Sequence, residues 1–365
     1  MAQTTNRRNP SPARRGGLVR PGLASPGLPT VELDARTGYD FLISACNDCG
    51  ELQDLLPEDR IWVEKSRADL AVQLGSGQWT EACVGFVTEV GRLLVGRPEV
   101  RTAGQVVAAV DDITDGDLIE TLLGELLDDQ DLGATARLAV SGDPQAYADL
   151  QAKLEQLKGM PILTATPQEL AAGTRRIIHA WLPRYEVVEE RIGQMLQRDV
   201  FARPLKAAAA DPFGFVEQAT NGIRLAVETR VRRIVLAPSY FGRPYNSLTR
   251  IGQTQLICYP IADSALDSED TRTPPSSVIR LYRALGDETR LRILRLLAER
   301  DRYLTELATE LELSKPTVSH HLAQLRSAGL ITVTGQGGLG NYTYYTLRRD
   351  RIEEAGIELT SYLAV

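Results

Sequence analysis

Between Leu33 and Asp211, apolar residues recur three and four positions apart, the spacing that lines one side of an α-helix. GYDFLISACNDC, DRIWVEKSRADLAVQL, WTEACVGFVTEVGRLLV, QAYADLQAKLEQL and TPQELAAGTRRIIHAWLPRYEVVEERIGQML all carry this period, with breaks at Pro, Gly and Asp. IRLAVET, RRIVLAPSY and QLICYPI then read as three short strands near residues 223–261, a small sheet closing a mostly helical domain that spans 31–262. DSEDTRTPPSS, with Pro274 and Pro275, marks a linker over 263–276. The fold class expected is mainly α with α+β: a large helical N-terminal domain with a small β region, and a separate C-terminal module over 277–365.

That module is the most legible part. ALGDETRLRILRLLAER offers Leu291, Ile293, Leu294, Leu296 and Leu297 to a core, with Asp287 as a cap. YLTELATELEL is a second helix, and a turn of three to four residues leads to a third from Ser314 to Ala328. At about 100° per residue, Val318, Leu322 and Leu325 fall on one face of the third helix. Thr317, His320, His321 and Gln324 fall on another, and all four reach outward with hydrogen-bonding groups suited to base edges. Ser314 is a good N-cap, Pro316 occupies the first turn and Gly329 stops the helix. ITVT and YTYYTL alternate as two strands around the glycine-rich GQGGLGN, which reads as a wing after a helix-turn-helix.

The stretch from about Ser277 to Leu347 resembles the ArsR/SmtB family of bacterial winged-helix regulators, through ALGDETRLRILRLL, LSKPTVSHHLAQLRSAGLI and YYTLR. The resemblance implies a homodimer on double-stranded DNA, usually repressing transcription until a small signal loosens its grip. It makes Lys315, Thr317, Ser319, His320 and Gln324 DNA contacts, with Gln336 and Asn341 at the wing tip; His321 joins this set from the helix wheel, and Ser314, at the N-cap, is counted with it. Metal-sensing members of the family carry Cys-x-Cys where this chain reads Tyr303-Leu304-Thr305, and a second family site needs histidine, which RRDRIEEAGIELTSYL lacks. No metal and no cofactor is expected. Ile352, Ala355, Leu359, Tyr362 and Leu363 share a stripe on the last helix, which in the family pairs with the helix of Val278, Ile279, Leu281, Tyr282 and Leu285. Dimerisation is therefore expected through Val278, Leu281, Ile352, Leu359 and Tyr362. The alternative is that both stripes cover the module's own core.

Charge separates the regions. Ser277–Arg349 holds eleven Lys or Arg against seven Asp or Glu, and residues 1–30 hold five arginines and no acid, so a chain of net charge −7 keeps its acid in the middle. Residues 1–30, rich in Pro, Gly and Arg, are expected to be disordered, as a solvated end or a basic arm touching phosphates. With no secretory pattern and no eighteen-residue apolar run, a soluble cytoplasmic protein without membrane contact is expected.

The N-terminal domain shows no phosphate loop, nucleophile elbow or histidine pair, and its one histidine, His179, reads as a packed or surface residue. An enzyme is not expected. DDITDGD and LLDDQD read as solvated acidic surface at helix starts, with cation binding as the alternative. Cys46 and Cys49 have the C-x-x-C spacing of redox and zinc half-sites, but Cys83 and Cys258 are distant, and one helical turn would resist a bridge. Ordinary buried thiols are expected, with a switch as the alternative. Tyr240, Phe241, Arg243 and Tyr245, in LAPSYFGRPYNSL, form either a pocket wall for a small-molecule effector or an interdomain plug. The whole reads as a sequence-specific transcriptional regulator, a repressor, with signal input through the N-terminal domain. The alternatives are an enzyme or a protein-interaction module carrying a regulatory winged-helix tail.

Overall fold

The computed structural model describes residues 19–20, 27–46, 49–75, 87–129, 131–156, 165–225, 231–266, 274–335 and 344–364. In the N-terminal domain, strands β1 (Val19–Arg20) and β2 (Thr30–Asp34) precede helices α1 (Thr37–Ser44) and α2 (Pro57–Leu74). Among the described residues, six shorter helices follow, α3 to α8 (Gly91–Gly96, Ala103–Asp111, Asp115–Leu122, Gly124–Asp128, Gly133–Val140, Pro144–Gln156), then the long α9 (Pro167–Ala202), α10 (Leu205–Ala210) and α11 (Pro212–Ala219). Strands β3 (Ile223–Leu225), β4 (Arg233–Ser239), β5 (Ser247–Ile251) and β6 (Thr254–Pro260) complete it.

The expected small β region is larger and differently wired. One sheet runs β1-β2-β4-β6-β5, with β2, β4 and β6 parallel and the outer pairs antiparallel. β4 and β6 are nearly continuous apolar runs, as central parallel strands buried on both faces must be. Two expectations are corrected here. Thr30–Asp34, which straddles the end of the expected tail and the start of the helical pattern at Leu33, is a strand whose parallel partner Arg233–Leu236 lies some two hundred residues on. Ile223–Leu225 belongs to the other sheet, beside the wing.

Two further boundaries move. Within the expected disordered tail, Val19 and Arg20 pair with β2, and the Arg20 guanidinium donates to the Val200 carbonyl; residues 1–18 lie outside the described residues. Asp263–Ala265, placed in the linker, is a 3-10 turn with Ala265 buried and its carbonyl accepting from Arg198 at 3.1 Å.

Helices α1 and α9 pack on the sheet around Trp181, Tyr185 and Phe41, and Trp181 Nε1 donates to Ser44 Oγ at 2.7 Å. The acidic clusters do local work: Asp129 accepts from the Asp131 and Leu132 amides, and Asp111 faces Arg175 and His179.

Asp40, on α1, is fully buried and accepts from Ser239 Oγ, Tyr240 N at 2.8 Å and Phe241 N at 3.1 Å. Burial outweighs these bonds and lifts its carboxyl from 3.8 to about 6. A raised carboxyl binds its proton more tightly in the folded state. Its stabilising contribution is complete below about pH 4 and is lost as pH rises through 6, in total about 3 kcal/mol. Asp40→Asn, which cannot ionise, is expected to remove that slope. Thermal melts of both proteins between pH 4 and 7 that stay parallel would refute the assignment.

Candidate nucleic-acid interface

Beyond the linker come α12 (Ser276–Leu285), α13 (Glu288–Glu299), β7 (Arg302–Tyr303), α14 (Leu304–Glu310), α15 (Lys315–Ser327), β8 (Ile331–Gly335), β9 (Tyr344–Leu347) and α16 (Arg349–Leu363). Asp287 caps α13 by accepting the Arg290 amide at 2.9 Å. The turn after α14 puts Glu312 at φ 56°, where glycine is favoured, and the Leu313 amide closes back on the Ala308 carbonyl at 3.0 Å. Ser314 then caps α15 through the Thr317 amide at 3.3 Å. Arg302, almost wholly buried, ties this assembly together by donating to the Leu296 carbonyl, Glu299 and Glu310.

The apolar face read for α15 is the buried one: Val318, Leu322 and Leu325 pack with Leu281, Ile293, Leu297 and Leu307 in a core separate from that of the N-terminal domain. Ser314, Lys315, Thr317, Ser319 and His320 are exposed on one surface. His321 and Gln324 are placed otherwise. The His321 ring tucks beside Asp287, Nδ1 3.8 Å from Oδ1, and burial lowers its pKa despite that carboxylate. It therefore packs α15 onto the start of α13 and does not face outward as expected. Gln324 Nε2 reaches Tyr245 Oη of the N-terminal domain at 3.5 Å. Gln336 and Asn341 lie outside the described residues.

The two domains meet along the C-terminal half of α15, the wing and α12. β3 pairs in parallel with β8, so the wing sheet runs β3-β8-β9-β7 and takes its edge strand from the N-terminal domain. Gly329, at φ +72°, ends α15 so close to Asn221 that a Cβ there would meet its side chain at 2.6 Å. Asp54 pairs with Arg280 of α12, Gln53 Oε1 accepts from Arg283 Nη1, and Asp263 pairs with Arg243 while accepting the Ser277 amide at 2.9 Å. Sequence reasoning missed this joint, because an acidic loop and a basic helix face each look solvated when taken alone.

Of Tyr240, Phe241, Arg243 and Tyr245, the first three are buried and only Tyr245 touches the winged helix. Tyr240 is buried with its hydroxyl donating to Asp59 at 2.7 Å, Phe241 packs on Trp62 and Tyr185, and Arg243 is buried against Asp263. Tyr245 donates to Glu51 and meets Gln324. Tyr240, Phe241 and Arg243 fill the N-terminal domain, and Tyr245 reaches the joint. Burial opposes ionisation of Glu51, but hydrogen bonds from Tyr245, Gln53 and Gln324, with the field of His320, hold its carboxyl below the ordinary range. A carboxylate thus stands beside the reading surface.

Of the expected dimer residues, Val278 and Leu281 point inward and are buried; packing within the chain claims them. Ile352 is exposed, and Leu359 and Tyr362 are partly so. Ile279, Tyr282, Ile357 and Leu363 are exposed apolar residues on the same two helices, which pack together with Tyr282 Oη donating to the Ala355 carbonyl at 3.0 Å.

Cys46 and Cys49 are joined by a disulfide, which corrects the expectation of ordinary thiols. α1 ends at Ser44, so the helical geometry that would have resisted the bridge does not apply. Cys258 is a buried thiol whose pKa burial pushes up, and Cys83 lies outside the described residues. Among the described residues, no three His, Cys, Asp or Glu gather as a metal site, and no helix is long and apolar enough to cross a membrane.

Residues 287–333 match the family model described as bacterial regulatory protein, arsR family. An uncharacterized HTH-type transcriptional regulator of Methanocaldococcus jannaschii is 37% identical over 75 residues, 20% of this chain and 81% of the relative. An arsenic resistance transcriptional regulator of Pseudomonas putida is 41% identical over 76 residues, 20% of this chain and 54% of its own. The arsenical resistance operon repressor of Escherichia coli is 43% identical over 65 residues, 18% of this chain and 56% of its own. The chain thus spans little more than half of these last two relatives, and its N-terminal region has no family assignment. No solved structure matches the chain.

Proposed function

The chain belongs, through its C-terminal module, to the arsR family of bacterial regulatory proteins, and from that premise we propose that it represses transcription at a specific operator under control of its N-terminal domain. DNA binding by a transcriptional regulator is the part that the family carries. The observation behind the finer reading is the division of α15: Val318, Leu322 and Leu325 bury one face and leave Lys315, Thr317, Ser319 and His320 together on the surface. Short polar side chains on an exposed helix face match major-groove base edges, and a neighbouring lysine matches phosphate. The protein acts as a dimer through the exposed apolar residues Ile279, Tyr282, Ile352 and Ile357 of α12 and α16. It is a regulator and not an enzyme, and a small-molecule or other signal reaches DNA through the joint between the domains.

The test is fluorescence anisotropy of the full-length protein on its own upstream duplex and on scrambled duplex, near physiological salt. Two chains per specific duplex and a preference of about a thousandfold are expected. Thr317→Ala with His320→Ala should erode the preference by about 1 to 3 kcal/mol per lost base contact, whereas Lys315→Ala should weaken both duplexes alike. Equal weakening on both duplexes by all three substitutions would refute the assignment of reading and positioning roles.

A further inference from the structure

Past the end of α1, Cys46 and Cys49 form a disulfide, and Gln53 and Asp54 shortly after it make two contacts to α12 of the winged helix, with Arg283 and Arg280. The bridged Cα atoms are 5.6 Å apart, within the ordinary range for a disulfide. Cys46 is buried, and its carbonyl accepts from Arg67 Nη2 of α2 at 2.6 Å, so this half of the bridge is anchored. Cys49, packed against the core but less buried than Cys46, is the half of the bridge more open to attack by a thiol. The next residue, Gly50, lies so near loop 241–243 that a Cβ would fall 2.0 Å from the Phe241 carbonyl oxygen. Glu51 N donates to the Arg243 carbonyl at 2.7 Å, and Glu51 then accepts from Tyr245, which holds Gln324 of the reading helix.

We propose that Cys46 and Cys49 form a thiol–disulfide exchange site whose state sets how firmly Glu51 and Tyr245 hold the C-terminal half of the DNA-reading helix. This rests on the reading of α15 as the DNA-contacting helix. The reductant is a dithiol. Its thiolate attacks Cys49 Sγ, the Sγ–Sγ bond breaks, and Cys46 Sγ leaves and takes a proton. The second thiol of the reductant then displaces Cys49 Sγ, which is protonated in turn, so the protein gains two electrons and two protons and the reductant becomes a disulfide. The bridge pins Cys49, and with it Glu51, a carboxylate beside His320 and Gln324 where phosphate must approach. Opening the bridge lets this segment retract, and DNA binding rises.

The experiment compares full-length protein equilibrated with dithiothreitol or with its oxidised cyclic form. Iodoacetamide labelling of the Cys46–Cys49 peptide reports the bridge, and anisotropy on the upstream duplex reports binding. The reduced protein is expected to bind about tenfold more tightly, within the usual range of coupling between sites. Cys46→Ser and Cys49→Ser should bind as the reduced protein does in both buffers. Equal affinity in both buffers while labelling shows the bridge opening would overturn the proposal, as would full labelling in the oxidised buffer. Deuterium uptake over residues 318–330, measured on the unmodified protein without DNA, should rise on reduction. If it rises while no duplex is preferred, the switch stands and the DNA reading falls; if it is unchanged, the switch falls.

Discussion

Arg36→Met is expected to destabilise the N-terminal domain by about 3 to 5 kcal/mol, a large share of the stability of an ordinary domain. Arg36 is 2% exposed and makes more bonds than any surface arginine needs. Its Nε lies 2.9 Å from both carboxylate oxygens of Asp34, while Nη2 donates to Asp34, to Tyr39 Oη at 3.0 Å and to the Leu94 carbonyl at 2.8 Å. Nη1 donates to the carbonyls of Arg97 at 2.7 Å and Val100 at 2.8 Å. One side chain thus ties the end of β2 to α3 and the turn that follows it. Methionine fills much of the volume but leaves Asp34 buried and uncompensated beside three carbonyls that lose a donor. Denaturant titration should show an early transition for this domain and an unmoved one for the winged-helix core, which is a separate cluster. Adding Asp34→Leu should recover much of the loss, since the buried charge then goes too. A single-variant cost below about 1 kcal/mol would show that the pair is not the tie described.

Arg280→Ala is expected to loosen the joint and spare both cores. Asp54, 3% exposed on its side chain, has Arg280 as its close partner, with Arg243 and Asp263 contributing further from the same corner. Burial already raises the Asp54 carboxyl against the pull of Arg280. Removing the guanidinium leaves that carboxylate to protonate or to seek water, at a cost of about 3 kcal/mol. Water is within reach only if α12 moves off the Leu52–Asp54 turn. Hydrogen exchange over residues 49–56 and 276–285 should therefore speed by on the order of a hundredfold, while α9 and the β4–β6 ladder stay protected. The β3–β8 ladder should keep the wing attached. Unchanged exchange at Asp54 and Arg280 would mean that the ion pair is incidental to docking; loss of protection in α9 would mean that Arg280 supports the whole fold.

The C-terminal module was legible because its signals are local. Asp287 and Ser314 cap the helices they precede, Val318, Leu322 and Leu325 are buried, and the strands around GQGGLGN pair as a wing. Each depends on residues within a few positions, so spacing and residue type sufficed. The face of α15 was legible only in part. A helix wheel gives the angle at which His320, His321 and Gln324 leave the axis, but not what stands opposite, and there stand solvent, Asp287 and Tyr245 respectively.

The sequence by itself determined the helix-turn-helix, its buried face, its caps and its kinship. The tertiary structure alone decided that Thr30–Asp34 is a central strand, that Ile223–Leu225 is lent to the wing, that Val278 and Leu281 serve the interior, and that Cys46 and Cys49 are bridged beside the joint. The division follows separation along the chain. Helix periods and caps are settled by neighbours in sequence. Parallel pairing, charge burial and docking are settled by residues far apart, whose attraction acts only after the intervening chain has closed its loops.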